Sequence, residues 1–337
     1  DPHVSQTSSI IVGKQGEFSG RLNNLIQSFK WMGQVFKENG CSIVVCLGDM
    51  TDKSSLTSEE ITAMSQFEGI REHLLLVGNH CRSDKSGKIN SLNLVSDSIF
   101  EPRVETLGGR KFLFLPYNSS LVDLSLYKDI DVILSHNDIK GYDLGGHFSI
   151  EGYELTTIVD HCKLFINGHL HNGGWLVNNR VVNLGQLSGM NFSSCGGQWE
   201  PSIGILDTET LDLEIIENPY AYRFKKETFD TLVKLRNYIK SLPDVGRYVL
   251  QVKVPSSIID SARSILTKSE KVEAFRLLVL KSEKVKTQEV RKSQEVFENK
   301  NIYTKLREFI STKSQTKYDS DIAKSIIDEI EKKEGVV

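Results

Sequence analysis

A run of strand type, Leu164-Phe165-Ile166-Asn167, stops at Gly168 and is followed at once by His169 and His171. This ending constrains the chain more than any other stretch. In extended backbone, alternate residues face the same side, so the two histidines can line one pocket. Neutral imidazole is also the commonest metal ligand near pH 7. Three further runs end in ligand types. Ser42 to Leu47 leads into Gly48-Asp49-Met50-Thr51-Asp52, His73 to Val77 into Gly78-Asn79-His80-Cys81, and Asp131 to Leu134 into Ser135-His136-Asn137-Asp138. Asp1-Pro2-His3 opens the chain with one more such pair. Strands alternate with helices through about residue 170, which predicts layered α/β architecture. In such sheets ligands collect beyond the carboxyl ends of the strands, so these five sites can converge.

Between these runs, Leu22, Leu25, Ile26, Phe29, Met32, Gly33 and Phe36 share one helical face, and Gly40 supplies a stop. Thr57-x-x-Glu60 is a capping-box pattern. A brief helix is predicted around Leu92–Ile99, a strand over Lys111–Leu115 and a helix around Tyr153–Val159. Trp175–Val177, Asn178-Asn179 and Arg180–Asn183 read as a hairpin with a two-residue turn. Ser202–Leu206 and Leu211–Ile216 read as a second hairpin. Farther on, the pattern predicts a helix over Phe224–Ile239, a strand over Tyr248–Val254, a helix over Ser257–Leu266 and a strand over Phe275–Leu280. Two amphipathic helices follow, at about 302–312 and 320–332.

A boundary is placed near residue 218, where Asn218-Pro219 interrupts the pattern and the charge changes sign. Residues 1–217 hold 16 Lys+Arg against 27 Asp+Glu, whereas residues 218–337 hold 25 against 17. The acidic part can host cations and the basic part can meet phosphate. No apolar run approaches the ~20 residues that span a bilayer, and no signal pattern opens the chain. The five cysteines, with no CxxC pair, read as reduced thiols of a cytoplasmic protein (the host's cytoplasm if the source is viral).

Mixed imidazole, carboxylate and amide donors suit Mn, Fe or Zn better than Mg or Ca. The donors outnumber the positions around one tetrahedral ion, and a carboxylate can bridge two. Two ions ~3.5–4 Å apart activate water and stabilise both attacking and leaving oxygens at phosphorus.

The ordered set Asp1-x-His3, Gly48-Asp49-x-x-Asp52, Gly78-Asn79-His80, Ser135-His136 and Gly168-His169-Leu170-His171 resembles the calcineurin-like metallophosphoesterase superfamily over about residues 1–217. The resemblance implies a two-sheet α/β sandwich flanked by helices. It further implies that Asp1, His3, Asp49 and His171 hold one metal. Asp49 would bridge to a second, completed by Asn79, His136 and His169. His80 would be the unligated histidine beside the scissile phosphate, and Asp52 would orient it through its other ring nitrogen. Two divalent ions are implied, Mn ahead of Fe or Zn, with Mg last.

Protein Ser/Thr phosphatases carry Arg-Gly after the second acidic residue and Arg before Gly-Asn-His. Lys53-Ser54 and Val77 stand there instead, which disfavours that branch. The layout is similar to SbcD-type DNA-repair nucleases. On that similarity residues 1–217 form the nuclease domain, 218–290 a small α/β capping domain, and 291–337 a helical segment that grips an SMC-like ATPase. A homodimer is implied, with DNA as substrate and no membrane association. The basic C-terminal third accords with DNA, which demands phosphate neutralisation, and the loop Arg82 to Lys88 could touch its backbone. The alternatives are a small-molecule or nucleotide phosphodiesterase or phosphatase and, ranked last, a non-catalytic scaffold. Cys81 stands where the superfamily usually has Asp or Glu, which removes an acceptor from the surroundings of the ligands. The first motif normally ends a core strand, so several residues are expected upstream of Asp1. His73, His147 and His161 match no motif position and read as structural.

Overall fold

In a computed structural model, the described residues are 1–280 other than 7, 9, 12, 13, 67–71, 95–97, 119, 145–147 and 193–198. All of them belong to one compact unit, Asp1–Leu280. The helices predicted at 302–312 and 320–332, residues 281–290 of the predicted capping domain, and His147 therefore lie outside the described residues.

In chain order, a two-residue hairpin of β1 (Lys14–Gln15) and β2 (Phe18–Ser19) leads into α1 (Gly20–Glu38). The Ser19 side chain caps this helix by accepting from the Leu22 amide, and the apolar stripe read from the sequence is its buried face. Next come β3 (Ile43–Cys46), α2 (Ser58–Ser65), β4 (Glu72–Leu76) and β5 (Ser98–Ile99). The predicted capping box starts α2. Thr57 Oγ1 accepts from the Glu60 amide at 3.2 Å, and Glu60 Oε2 accepts from the Thr57 amide at 2.9 Å. The other oxygen of Glu60 accepts from the Gln6 amide at 2.9 Å, which ties this helix to the segment after His3.

The second sheet is built from β6 (Arg103–Leu107), β7 (Arg110–Leu115), β8 (Val132–Ser135), β9 (Leu164–Asn167), β10 (Gly174–Val177) and β11 (Val181–Asn183), with α3 (Leu155–His161) between β8 and β9. Its order is β10-β11-β9-β8-β7-β6, and β7, β8, β9 and β11 run parallel. The smaller sheet β3-β4-β5 is wholly parallel. Period-two alternation decides how the layers stack. Phe112, Phe114, Val132, Leu134, Leu164, Ile166 and Val182 face the smaller sheet, meeting Leu47, Leu76 and Ile99. The alternate residues, Leu113, Leu115, Ile133, Phe165 and Val181, face Ile158 of α3. Across the smaller sheet, Val44, Cys46 and Leu75 pack on Leu25, Phe29 and Met32 of α1. The result is a two-sheet sandwich flanked by helices, the fold class expected from sequence. A hairpin, β12 (Ser202–Leu206) with β13 (Leu213–Glu217), contributes to both cores that border the smaller sheet.

After it come β14 (Tyr222–Thr228), α4 (Leu232–Ser241), β15 (Arg247–Val254), α5 (Ile259–Thr267) and β16 (Val272–Val279). The three strands are parallel in the order β14-β15-β16. Leu235 and Ile239 of α4 and Ala262 and Leu266 of α5 pack on Leu250, Val252 and Val254. Tyr222, Phe224 and Val249 instead meet Ile11 and Phe192. Polar groups stitch this seam. Asn218 Nδ2 donates to Ser28 Oγ and to Leu187 O, and the Tyr222 amide donates to Ser188 Oγ.

Three predicted elements are corrected. Phe224–Ile239 is not one helix, because Tyr222–Thr228 pairs in parallel with β15 and the helix begins only at Leu232. Thr231 supplies the missed start signal, its hydroxyl accepting from the Lys234 amide. The helix over Leu92–Ile99 is a short 3-10 turn at Ser91–Leu94 followed by β5, since Ser98 and Ile99 pair with β4. The β10–β11 turn has three residues, not two. Val177 pairs with Val181, Asn179 takes φ 54°, and the Arg180 amide donates to Val177 O.

Removing the capping hydroxyl with Thr57→Ala should lower stability by about 1 kcal/mol, read as a drop in thermal midpoint with no change in secondary structure.

Candidate metal centre

The carboxyl ends of β3, β4, β8 and β9 lie along one edge of the sandwich, and the predicted ligands sit in the loops that leave them. His3 is brought there by its amide, which donates to Asp49 O at 2.9 Å, and by the Val4 amide, which donates to Met50 O at 2.8 Å. Three of the candidates, His3, Asp49 and His169, take φ of 47°, 43° and 69°, a region that non-glycine residues seldom occupy and that clusters at functional sites. Two glycines make room. A Cβ on Gly78 would lie 2.1 Å from Asp49 Oδ1, and one on Gly48, itself at φ 115°, would lie 2.1 Å from His136 Nδ1.

Asp49 is the centre of the group. Its Oδ2 is 3.2 Å from His136 Nε2 and 3.7 Å from His3 Nε2, and its Oδ1 accepts from the His80 amide at 3.0 Å. His136 Nδ1 is 2.7 Å from Leu47 O. A carbonyl only accepts, so Nδ1 carries the proton and Nε2 turns a lone pair toward Asp49. On the other side, His3 Nε2 and His171 Nε2 are 3.1 Å apart. Burial pushes His136 down to about 4 and, helped by His3, His171 down to about 2. Both imidazoles are neutral at physiological pH, the form that binds metal.

The donors test the fit of a metal. Buried polar atoms nearly always find a hydrogen-bond partner. Asp1 Oδ2, Asn79 Oδ1, His136 Nε2 and His169 Nδ1 find none, and they are four of the seven such atoms among the described residues. Acceptors buried face to face, with no donor between them, call for a cation. Ligand atoms of Asp49, His136 and His169 fall within 4.8 Å of one another, as do those of His3, Asp49 and His80. Asp49 belongs to both clusters, so its carboxylate can serve two ions.

Asp1 contacts the His136–His169 side. Its Oδ1 accepts from the His169 amide at 3.1 Å and is 3.4 Å from His136 Nδ1, while Oδ2 stays open. Asp52 sits between two histidines. Its Oδ1 is 3.3 Å from His3 Nδ1 and 3.6 Å from His80 Nδ1, and the nearer partner of His80 is the Asp52 carbonyl, at 3.1 Å. Cys81 is fully buried under Thr51, and burial raises its thiol above the ordinary value. His161 bonds Thr157 O within its own helix, in keeping with a structural role.

Two side chains without a sequence-assigned role adjoin the cluster. Asp138 Oδ1 is 3.5 Å from His169 Nε2, which leaves Nδ1 as the free donor. The Tyr117 ring lies 5.3 Å from that of His169 and carries the Arg82 guanidinium 4.6 Å above its centre. The available signals were slight: a carboxylate two residues past His136, and an aromatic just past the end of β7.

A sandwich that gathers neutral imidazoles around a shared carboxylate defines the class of metal-dependent hydrolases. The calcineurin-like phosphoesterase family model matches residues 1–173. The chain belongs to that family, whose members bind divalent metals and hydrolyse phosphoesters. A comparison with curated proteins returns no match. Among the described residues no helix is long and apolar enough to cross a membrane.

Two measurements bear on the centre. Gly78→Ala should displace Asp49 and weaken Mn binding about 10- to 100-fold, by the scale found for groups that orient ligands, read by calorimetry. In the metal-free protein, His136 is neutral when folded but protonates near 6.5 when unfolded. The unfolded chain then binds more protons, so stability should fall as pH drops through the window from 6.5 to about 4. A thermal midpoint that is flat across that window would contradict a buried neutral imidazole.

Proposed function

We propose that the chain is a metal-dependent DNA nuclease, with Asp1, His3, Asp49 and His171 around one ion and Asp49, Asn79, His136 and His169 around the other. Mn is the proposed metal, on the mixed nitrogen and oxygen donors. One observation carries the substrate assignment. The His80 side chain is 40 % exposed, so the described residues leave the centre open to a polymer, and Arg82, Lys85 and Lys88 follow it in one loop. Such cations suit a phosphate backbone.

Two divalent ions held here would activate water and offset charge at phosphorus. Asp49 keeps both positions in register. His80, whose Nδ1–H donates to the Asp52 carbonyl at 3.1 Å, would act as general acid in its imidazolium form, giving the Nε2 proton to the departing oxygen. Asp52, nearer to His3, aligns that ligand and supports His80 at longer range. The proposal extends to residues 291–337 as the segment that binds an SMC-like ATPase and to a homodimer. Both rest on the sequence pattern and the SbcD-like layout.

The test is digestion of end-labelled DNA with Mn. His80→Asn should reduce cleavage by a hundredfold or more while Mn still binds, and retained cleavage would remove the role given to His80. Hydrolysis of small phosphodiesters without cleavage of DNA would transfer the assignment to a small-molecule phosphodiesterase. On the division of ligands, His171→Ala should weaken one ion and spare the second more than His169→Ala does, measured by Mn titration.

A further inference from the structure

The edge that carries the metal ligands has one more parallel strand. β11 ends at Asn183, pairs in register with β9, and turns into a loop that carries Gln186. The site accounts for the loops after β3, β4, β8 and β9 but makes no use of this one. Gln186 is only 4 % exposed, and its amide nitrogen has no hydrogen-bond partner. A buried donor in that state is costly. Gln186 lines an open cleft whose walls include His171, Trp199, Glu200, Arg223 and Lys225.

The cleft thus begins at a candidate metal ligand and ends on β14. Its loop is firmly held. The Leu184 amide donates to Asn167 O at 2.9 Å, and the Leu187 amide donates to Asp1 O at 3.3 Å. The buried Arg21 guanidinium clasps Gly189 O at 2.9 Å and Pro2 O at 3.1 Å. One helix residue therefore fixes both the Asp1–His3 motif and the Gln186 loop. On the far wall Glu200 pairs with Arg223 at 3.2 Å and with Lys225 at 2.6 Å. Arg223 also meets Glu217 at 3.4 Å, so the two cations of this wall are matched by two carboxylates. Trp199 points its indole N–H at Leu184 O and Ser202 Oγ, so that donor is already engaged.

We propose that this cleft is a nucleoside subsite, and that Gln186 is a specificity-determining residue that donates a hydrogen bond to the sugar or base joined to the scissile phosphate. An aromatic ring, a buried amide donor and two carboxylate-paired cations match a nucleotide unit better than a simple alkyl or aryl ester. The subsite rests on the phosphoester-hydrolase reading for its orientation toward His171. Binding to it can be measured without turnover.

The experiment uses the full chain. Thymidine 5′-monophosphate is titrated into metal-free wild-type protein, Gln186→Ala and Gln186→Glu. Kinetics with Mn then compare thymidine 5′-(p-nitrophenyl) phosphate with methyl p-nitrophenyl phosphate, which shares the leaving group but lacks a nucleoside. Gln186→Ala should bind the nucleotide about tenfold more weakly, the scale of one hydrogen bond. It should lose a similar factor in kcat/KM on the thymidine ester and almost nothing on the methyl ester. Gln186→Glu keeps the size, removes the donor and should bind worse still. Equal nucleotide binding by all three proteins, with circular dichroism showing each folded, would overturn the subsite, as would equal losses on both esters. If binding falls in the variants while the wild type hydrolyses neither ester, the subsite stands and the hydrolase reading fails.

Discussion

The structure turns on a contact that is unfavourable without a cation. Asp49 Oδ2 and His136 Nε2 face one another at 3.2 Å, and the hydrogen bond from Nδ1 to Leu47 O leaves no proton between them. Two lone pairs buried together destabilise the fold unless a positive charge joins them. Nearby, His3 Nε2 and His171 Nε2 lie 3.1 Å apart, within hydrogen-bond reach of one another. Much of the surrounding architecture serves to hold these groups in place: left-handed backbone at His3, Asp49 and His169, and glycines at positions 48 and 78 where any Cβ would collide. Strain of this kind persists only where packing over-determines it. Here the two-sided burial of β8 and β9 supplies that packing.

The same rigidity extends to the last parallel sheet. Arg21 spans from the first ligand motif to the loop after β11, and the Asn24–Ser28–Ser188–Asn218 hydrogen bonds join α1 to the start of the last parallel sheet. The basic strand β14 is therefore fixed relative to the metal ligands rather than tethered beside them. A hydrolase gains from this arrangement because groups held in place beforehand need no reorganisation when charge develops.

Much of the centre was legible in the sequence. Apart from Asp1 and His3, each ligand candidate lies within a few residues of the end of an apolar run, and the carboxyl-edge rule places such ends together. The capping box at Thr57 and the apolar face of α1 were legible because both are local patterns. Other features were not. Phe224, Leu232, Leu235 and Ile239 sit at spacings that a continuous helix tolerates, and only pairing with β15 shows that Tyr222–Thr228 is a strand. Asp52 lies far along the chain from both histidines that it meets, so its closer approach to the His3 ring than to the His80 ring follows from how two loops fold against each other. Asp138, Tyr117 and Gln186 belong to no motif, and their roles depend on which neighbours surround them.

Local patterns in the amino-acid sequence determined a layered α/β architecture and the ligand-type residues at strand ends; the two-sheet sandwich and the assignment of metal ligands followed from the family resemblance those motifs carry. Only the tertiary structure decided which side chains face one another at the centre and that a cleft runs from His171 to β14. Those depend on distances between residues up to about 170 positions apart, such as His3 and His171. Side-chain packing in three dimensions fixes such distances, and no local pattern encodes them.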